Sequence, residues 1–245
     1  MAAFTFKPDH WLIPDWPAPA NIHGATSLRH GGVSLPPYDS LNLGKHVGDD
    51  PAAVTENRRR LQLPSEPIWL TQTHGTHIID AARHKADQAE ADGSTTTQAG
   101  VICAVLTADC LPVLICNSQG TQVAAIHAGW RGLAAGILEA AIKKFSVNNK
   151  ELLIWLGPAI GPAAYEVGDE VRDIFLSHDA SAKSAFLARQ GKWQMNIYPL
   201  ARQRLQALGI TAIYGGQYCS YTKADRFFSY RRDGISGRMA SLIWM

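Results

Sequence analysis

The stretch from Val101 to His127 constrains the fold more than any other part of the chain. It holds three short apolar runs, Val101 to Thr107, Leu111 to Cys116 and Gln122 to His127. Runs this short and this apolar, rich in β-branched residues, fit strands buried on both faces. The break at Asn117-Ser118-Gln119-Gly120 is a hairpin-type turn joining the last two. A helix is expected directly afterwards, from about Gly132 to Phe145, where Leu133, Ile137, Ala140, Ala141 and Lys144 recur at helical spacing. Leu152 to Leu156 reads as another buried strand, ended by Gly157-Pro158.

The flanks follow the same style. Asp50 is a good N-cap and Pro51 suits the first helical position, so Pro51 to Leu63 is expected to be helical. It is preceded by GGVSLPPYDSLNLGKHVGDD, a long irregular loop and a candidate wall of a site. Ile68 to Gln72 and Thr76 to Asp80 read as strands around Thr73-His74-Gly75. Further on, Gly168 to Ser177, Ser181 to Gln190 and Ile197 to Leu208 read as helices, and Ala212 to Tyr214 as a short strand. Phe227 to Arg231 and Arg238 to Ile243 look like a closing hairpin around Asp233 to Gly237. Strands in mixed order with helices between them imply an α/β (α+β) layered domain of mixed sheets with outer helices. The full 1–245 span fits one such domain.

Charge and composition narrow the partners. The chain has 23 Lys and Arg against 21 Asp and Glu, a formal balance of +2, and no basic run beyond Arg58-Arg59-Arg60. That pattern argues against nucleic acid or an anionic membrane as a partner. The acidic, proline-containing start is unlike a signal peptide, and no apolar run reaches membrane-span length, so a cytoplasmic location is expected. Four cysteines are too few for a disulfide scaffold; Cys103, Cys116 and Cys219 are expected to be small buried hydrophobes.

Three positions stand apart because each places a metal-ligating side chain where a strand runs out into small residues. They are His74 in TQTHGT, Cys110 in TADCLP and His127 in AAIHAGWRG. Two imidazoles and a thiolate make a three-ligand set for catalytic zinc with one position open. Their separations match neither a zinc finger nor His-Glu-x-x-His. Residue types alone leave two alternatives open: core histidines beside a buried thiol, or a Cys110 nucleophile with His127 as base. His77 lies three residues from His74 on an extended segment and turns to the opposite face. His10, His23, His30, His46, His84 and His178 sit in polar or loop contexts and read as surface residues.

The segments NLGKHVGD, ENRRRL, TQTHGT, TADCLPVL, AAIHAGWRGLAAGI, GPAIGPAAYEVG and FFSYRRDGISGRMAS resemble the YfiH, or laccase-domain, family. The family is also called polyphenol oxidase and peptidoglycan editing factor. The resemblance runs from Asn42 to Ser241. It implies a metal triad at His74, Cys110 and His127, with zinc as the usual metal and copper as the alternative. It also implies a pocket arginine at Arg58, and Arg231 in Tyr230-Arg231-Arg232-Asp233 is a second candidate for binding a substrate anion.

The activities that the resemblance implies are purine nucleoside phosphorolysis with adenosine deamination, editing of peptidoglycan precursors, and copper-dependent oxidation of phenols. One thiolate and two imidazoles are few ligands for a multicopper array, and zinc has no redox chemistry, so oxidation of phenols ranks below hydrolytic or phosphorolytic chemistry; the leading expectation is the phosphorylase and the second the editing hydrolase. The expected partners are a nucleoside and phosphate.

Overall fold

A computed structural model describes residues 6, 9–84 and 89–245. The hairpin expected at the centre is there: Leu111–Asn117 pairs antiparallel with Val123–Ala128. These two strands lie in the middle of a six-stranded mixed sheet. Its order is Ile213–Gly215, Leu152–Leu156, Leu111–Asn117, Val123–Ala128, Gly93–Thr96 and Ile78–Asp80. Every residue of Leu111–Asn117 is buried, as a run apolar on both faces demands.

The alternation along that strand assigns its neighbours. Val113 and Ile115 pack toward the helices, against Leu133, Ile137 and Leu205. Leu114 and Cys116 turn the other way, against Cys103, Val105, Met239 and Ile243 of a second sheet. This second sheet has the order Trp11–Leu12, His23–Ser27, Met239–Trp244 and Cys103–Thr107. Its outer face is covered by Leu41 and Leu43 from the long loop, Leu61 at the end of the Pro51–Arg60 helix, and Trp69 just before Leu70–Thr71. The molecule is thus layered, helices on sheet on sheet, and the expected α/β class holds. Each fully buried Leu or Ile contributes about 1.5–3 kcal/mol, so the shared layer between the sheets is the main store of stability.

Three expectations are corrected. The helix read over Gly132 to Phe145 is two helices, Trp130–Ala135 and Ile137–Ile142, because Gly136 takes φ +98° between them. The helix read over Ser181 to Gln190 is a 3-10 turn, Ala180–Ala185, followed by a strand, Phe186–Arg189. Gln190 and Gly191, both at positive φ, fold that strand back onto Lys192–Met195. The closing hairpin is absent. Ser229 instead caps a helical turn at Tyr230–Asp233, and Met239–Trp244 pairs with His23–Ser27 and Cys103–Thr107.

Lys192–Met195 also pairs with Glu166–Val167, giving a small three-stranded sheet that overhangs one end of the central sheet. Among the described residues, no helix is long and apolar enough to cross a membrane.

Candidate functional site

His74, Cys110 and His127 converge at the ends of the central elements, with one ligating atom from each lying within 4.8 Å of the others. His127 is on the Val123–Ala128 strand, Cys110 immediately precedes Leu111–Asn117, and His74 caps the loop after Leu70–Thr71. Both His74 (φ 61°) and Asp109 (φ 85°) hold left-handed backbone that non-glycine residues seldom adopt. Among the described residues this is the one His/Cys/Asp/Glu group that could hold a metal ion.

The keystone is Asp92, which is fully buried and was missed as a site residue in the sequence. Its Oδ1 accepts from His74 N at 2.9 Å and His127 Nδ1 at 2.8 Å. Its Oδ2 accepts from Gly75 N at 2.6 Å, Thr73 N at 3.2 Å and Thr73 Oγ1 at 3.1 Å. Burial by itself would raise the Asp92 pKa, but the hydrogen bonds from His127, Gly75 and His74 hold it at about 2. An ionised carboxylate only accepts, so His127 Nδ1 carries the proton and Nε2 is left as a ligand atom.

The motif glycines shape the rest of the cradle. A Cβ on Gly129 would lie 2.8 Å from His74 Cδ2 and 3.1 Å from Cys110 Sγ, and one on Gly132 would lie 2.8 Å from the Gly75 carbonyl. Cys110 Sγ is 3.8 Å from His74 Nε2. A sulfur and a nitrogen bound tetrahedrally to one zinc are about 3.5 Å apart, so the donor set fits such an ion with little movement. Burial opposes ionisation of Cys110, yet the His127 and His74 imidazoles outweigh it and bring the thiol down to about 6. Burial likewise opposes charging of His127, and Cys110 and Asp92 raise it to about 9. Without a metal, this geometry favours a Cys110 thiolate beside a His127 imidazolium, and a metal binding at Nε2 would displace that proton.

The cluster sits in a cleft of about 920 Å³. Gln72, from TQTHGT, is tied to Leu106 through both ends of its amide, at 2.8 and 2.7 Å, and so fixes that loop to the second sheet. Asp109 accepts from Arg231 N at 2.7 Å and Ser220 Oγ at 2.6 Å, locking the Tyr230–Asp233 turn beside Cys110. The overhanging sheet adds Tyr165, Val167 and Lys192 to the lining.

The anticipated arginines separate. Arg231 lines the cleft, and its Nη1 donates to the carbonyls of Ala164 at 3.2 Å and Glu166 at 3.1 Å. Arg58 is not among the lining residues. Its Nε donates to the Leu43 carbonyl at 3.0 Å and its guanidinium lies 4.2 Å over the Trp69 ring, behind the loop. The neighbouring Asn57 holds that loop through Val33, Ser34, Ser40 and Asn42.

The loop does supply one wall residue, His46, which is exposed as expected of a surface histidine and also lines the cleft. Burial first, then the charges of Arg238, Arg58 and His127, lower the His46 pKa. Arg131 and Arg238 also line the cleft and were not singled out from the sequence. Cys103 and Cys116 are core thiols as expected, whereas Cys219 is only half-buried and its Sγ accepts from Gly161 N at 3.1 Å.

With this geometry in view, the similarities to known proteins can be stated. A family model described as multi-copper polyphenol oxidoreductase laccase matches residues 23–245. A protein of Escherichia coli K12 named purine nucleoside phosphorylase YfiH is 53% identical over 238 residues, covering 96% of this chain and 98% of that one. A purine nucleoside phosphorylase of Pseudomonas aeruginosa is 54% identical over 239 residues, with 96% and 98% covered. The crystal structure of a Neisseria meningitidis protein of family DUF152 superimposes with a TM-score of 0.92 at 47% identity, covering 96% of this chain and 99% of that one. The chain belongs to the YfiH family of laccase-like domains.

Proposed function

We propose that the protein is a zinc-dependent purine nucleoside phosphorylase of broad specificity. It converts adenosine, inosine or methylthioadenosine and phosphate to the free base and ribose 1-phosphate, and it also deaminates adenosine. The observation that carries this reading is a cleft built to receive an anion beside the three-ligand cluster. Arg131, Arg231 and Arg238 all line it, and none is ion-paired with a carboxylate among the described residues. The names of the relatives, purine nucleoside phosphorylase, support the choice of substrate.

A zinc ion held by His74, Cys110 and His127 would supply a positive charge and an open coordination position. The remaining work falls to the chain. Arg238 is the anchor for the anion: its Nη1 is fixed on the carbonyls of Ser236 at 2.8 Å and Gly237 at 3.0 Å, and its other donors remain for phosphate. Trp130 and Tyr165 offer aromatic surface to a planar base. In deamination, a proton must reach the departing amine, and His46 is the titratable imidazole of the cleft that is not part of the cluster.

Chromatography of products from adenosine and inosine, with and without phosphate, tests the reading. Phosphate-dependent release of base from zinc-loaded protein is the expected result. If both nucleosides are left untouched under both conditions, the reading is lost; release of an amino acid from a nucleotide-sugar amino acid would put an editing hydrolase in its place. Cys110→Ser should lower bound zinc and activity together, because a hydroxyl is a poor substitute for thiolate. Elemental analysis separates zinc from copper. A multicopper oxidase needs more ligands than the single three-residue group found among the described residues.

A further inference from the structure

Two buried tyrosines pack near the cleft floor, each only 7% exposed. The Tyr198 hydroxyl is saturated: it accepts from Ala159 N at 2.8 Å and shares its proton between the carbonyls of Gly157 at 3.0 Å and Tyr218 at 2.6 Å. Tyr165 is bonded through its backbone, its N–H donating to Pro162 and its carbonyl accepting from Met195. Its hydroxyl has no hydrogen-bond partner among the described residues, and it is not one of the sealed unpartnered atoms of the interior. Tyr165 lines the cleft, and its hydroxyl is not sealed off from it.

Folded proteins leave few polar groups of buried residues without a protein partner. A hydroxyl on a rigidly packed ring that lines a cleft and makes no hydrogen bond among the described residues is open to a ligand. Its chemistry is restricted. Burial, and then the charges of Cys110 and Asp109, push the Tyr165 phenol above the ordinary range, so it stays protonated and can donate. It thus addresses an acceptor atom.

Around the cluster, Tyr165 lies beside Arg231, whose guanidinium is 5.6 Å from its ring, and His46 and Arg238 also line the cleft. The charges felt by His46 are those of Arg238, Arg58 and His127. Those felt by Tyr165 are Cys110, Arg231, Asp109 and Arg131. Of the cations felt by Tyr165, the Arg131 guanidinium is laid 4.4 Å over the Trp130 ring and the Arg231 Nη1 is spent on two carbonyls. These cations are partly engaged. Arg238 is the better seat for a small oxyanion.

We propose that the Tyr165 hydroxyl recognises the purine base by donating a hydrogen bond to an acceptor on its edge, while Arg238 takes the phosphate. This rests on the purine nucleoside phosphorylase reading and deepens it by naming the residue that reads the base.

The test uses the full-length zinc-loaded protein and its Tyr165→Phe variant, which keeps the ring and removes only the hydroxyl. Calorimetric titration with hypoxanthine and, separately, with inorganic phosphate gives two affinities for each protein. The expected result is about tenfold weaker hypoxanthine binding in the variant, the loss of one hydrogen bond. Phosphate affinity should be unchanged, and the melting temperature should not fall. Tyr198→Phe is the structural control, and it should lower the melting temperature while leaving hypoxanthine affinity intact.

Hypoxanthine affinity unchanged within twofold in Tyr165→Phe would overturn the assignment, with phosphorolysis by the wild type still standing. Weaker phosphate binding with hypoxanthine unaffected would overturn it as well, placing the hydroxyl at the anion instead. A wild type that neither binds hypoxanthine nor cleaves inosine removes the phosphorylase reading and this assignment with it.

Discussion

The cleft has one finished wall and one unfinished wall. On the sheet side, Asp92 accepts from Thr73, His74, Gly75 and His127, and Gln72 uses both ends of its amide on Leu106. On the overhanging side, Arg131 and Arg231 have no carboxylate partners and the Tyr165 hydroxyl has no protein partner among the described residues. The finished wall is set by folding itself, so the three side chains that could hold a metal are gathered without one. The unfinished wall keeps cations that are exposed to solvent and open to a ligand. Damage to the first should cost metal and stability together, and damage to the second should cost binding alone.

The strongest way to break this contrast is Asp92→Asn. The amide keeps the size but brings an NH2 group to a position surrounded by donors, so buried bonds to a charged acceptor are lost. A stability loss of about 3–5 kcal/mol is expected in urea unfolding, the scale for removing one partner of a buried ionic pair. Zinc affinity should fall about 10- to 100-fold in a chelator competition. Unchanged zinc affinity would mean that the carboxylate does not orient the ligands.

The thiols offer a second large contrast, read in metal-free protein. Cys110 is brought down to about 6, whereas burial pushes Cys103 and Cys116 up to about 12. The thiolate is the reactive form, so alkylation of Cys110 should rise with pH through about 6 and level off above it, while Cys103 and Cys116 stay unmodified in the folded chain. Added zinc should protect Cys110. Mass spectrometry after iodoacetamide treatment at stepped pH would show this, and a midpoint near that of an ordinary thiol would contradict the clustered geometry.

Much of the finished wall was legible in the sequence, because ligand types are rare and the strands carrying them are apolar runs. Asp92 was not, since an acid inside ADGSTT looks like any solvated loop residue. Its role exists only because Ile78–Asp80 pairs in parallel with Gly93–Thr96 and sets the TQTHGT loop against it. The unfinished wall was read least well, and for a related reason. The Ala- and Leu-containing ASAKSAFLARQ has good helix formers, but the positive φ values at Gln190 and Gly191 and pairing with Lys192–Met195 override that local preference. The final strand joined distant partners, His23–Ser27 and Cys103–Thr107, where only a nearby hairpin partner could be seen locally. His46 was legible as a surface residue of a candidate wall loop, but its place in the cleft depends on how Asn57 holds that loop, which local sequence does not show.

On the unfinished wall, Arg231→Ala sharpens the contrast. The backbone N–H of residue 231 still reaches Asp109, so the turn beside Cys110 is retained. What goes is one cation and the two hydrogen bonds that tether the overhanging sheet. The KM for a substrate should rise about tenfold, the scale of one charge-assisted hydrogen bond, while zinc content is unchanged and stability falls by less than about 1 kcal/mol. Steady-state kinetics and a thermal melt would separate these. A stability loss as large as that of Asp92→Asn would erase the distinction between the walls.

Lys192→Gln carries the smallest expected effect and probes the same wall by charge alone. Lys192 pairs with Glu166 at 2.7 Å, but both side chains are at least half exposed, at 59% and 50%. Water and salt screen such a pair, and its contribution is about 0–1 kcal/mol, so unfolding in urea should shift by less than about 0.5 kcal/mol. The ammonium nevertheless lines the cleft proposed to take phosphate. Removing it should lower kcat/KM about twofold at low ionic strength, through slower capture rather than altered chemistry. At about 1 M salt the Debye length is near 3 Å, and the difference between wild type and variant should vanish. A loss that persists in high salt would show that Lys192 touches the bound substrate directly, and would move it from the field around the cleft into the binding site itself.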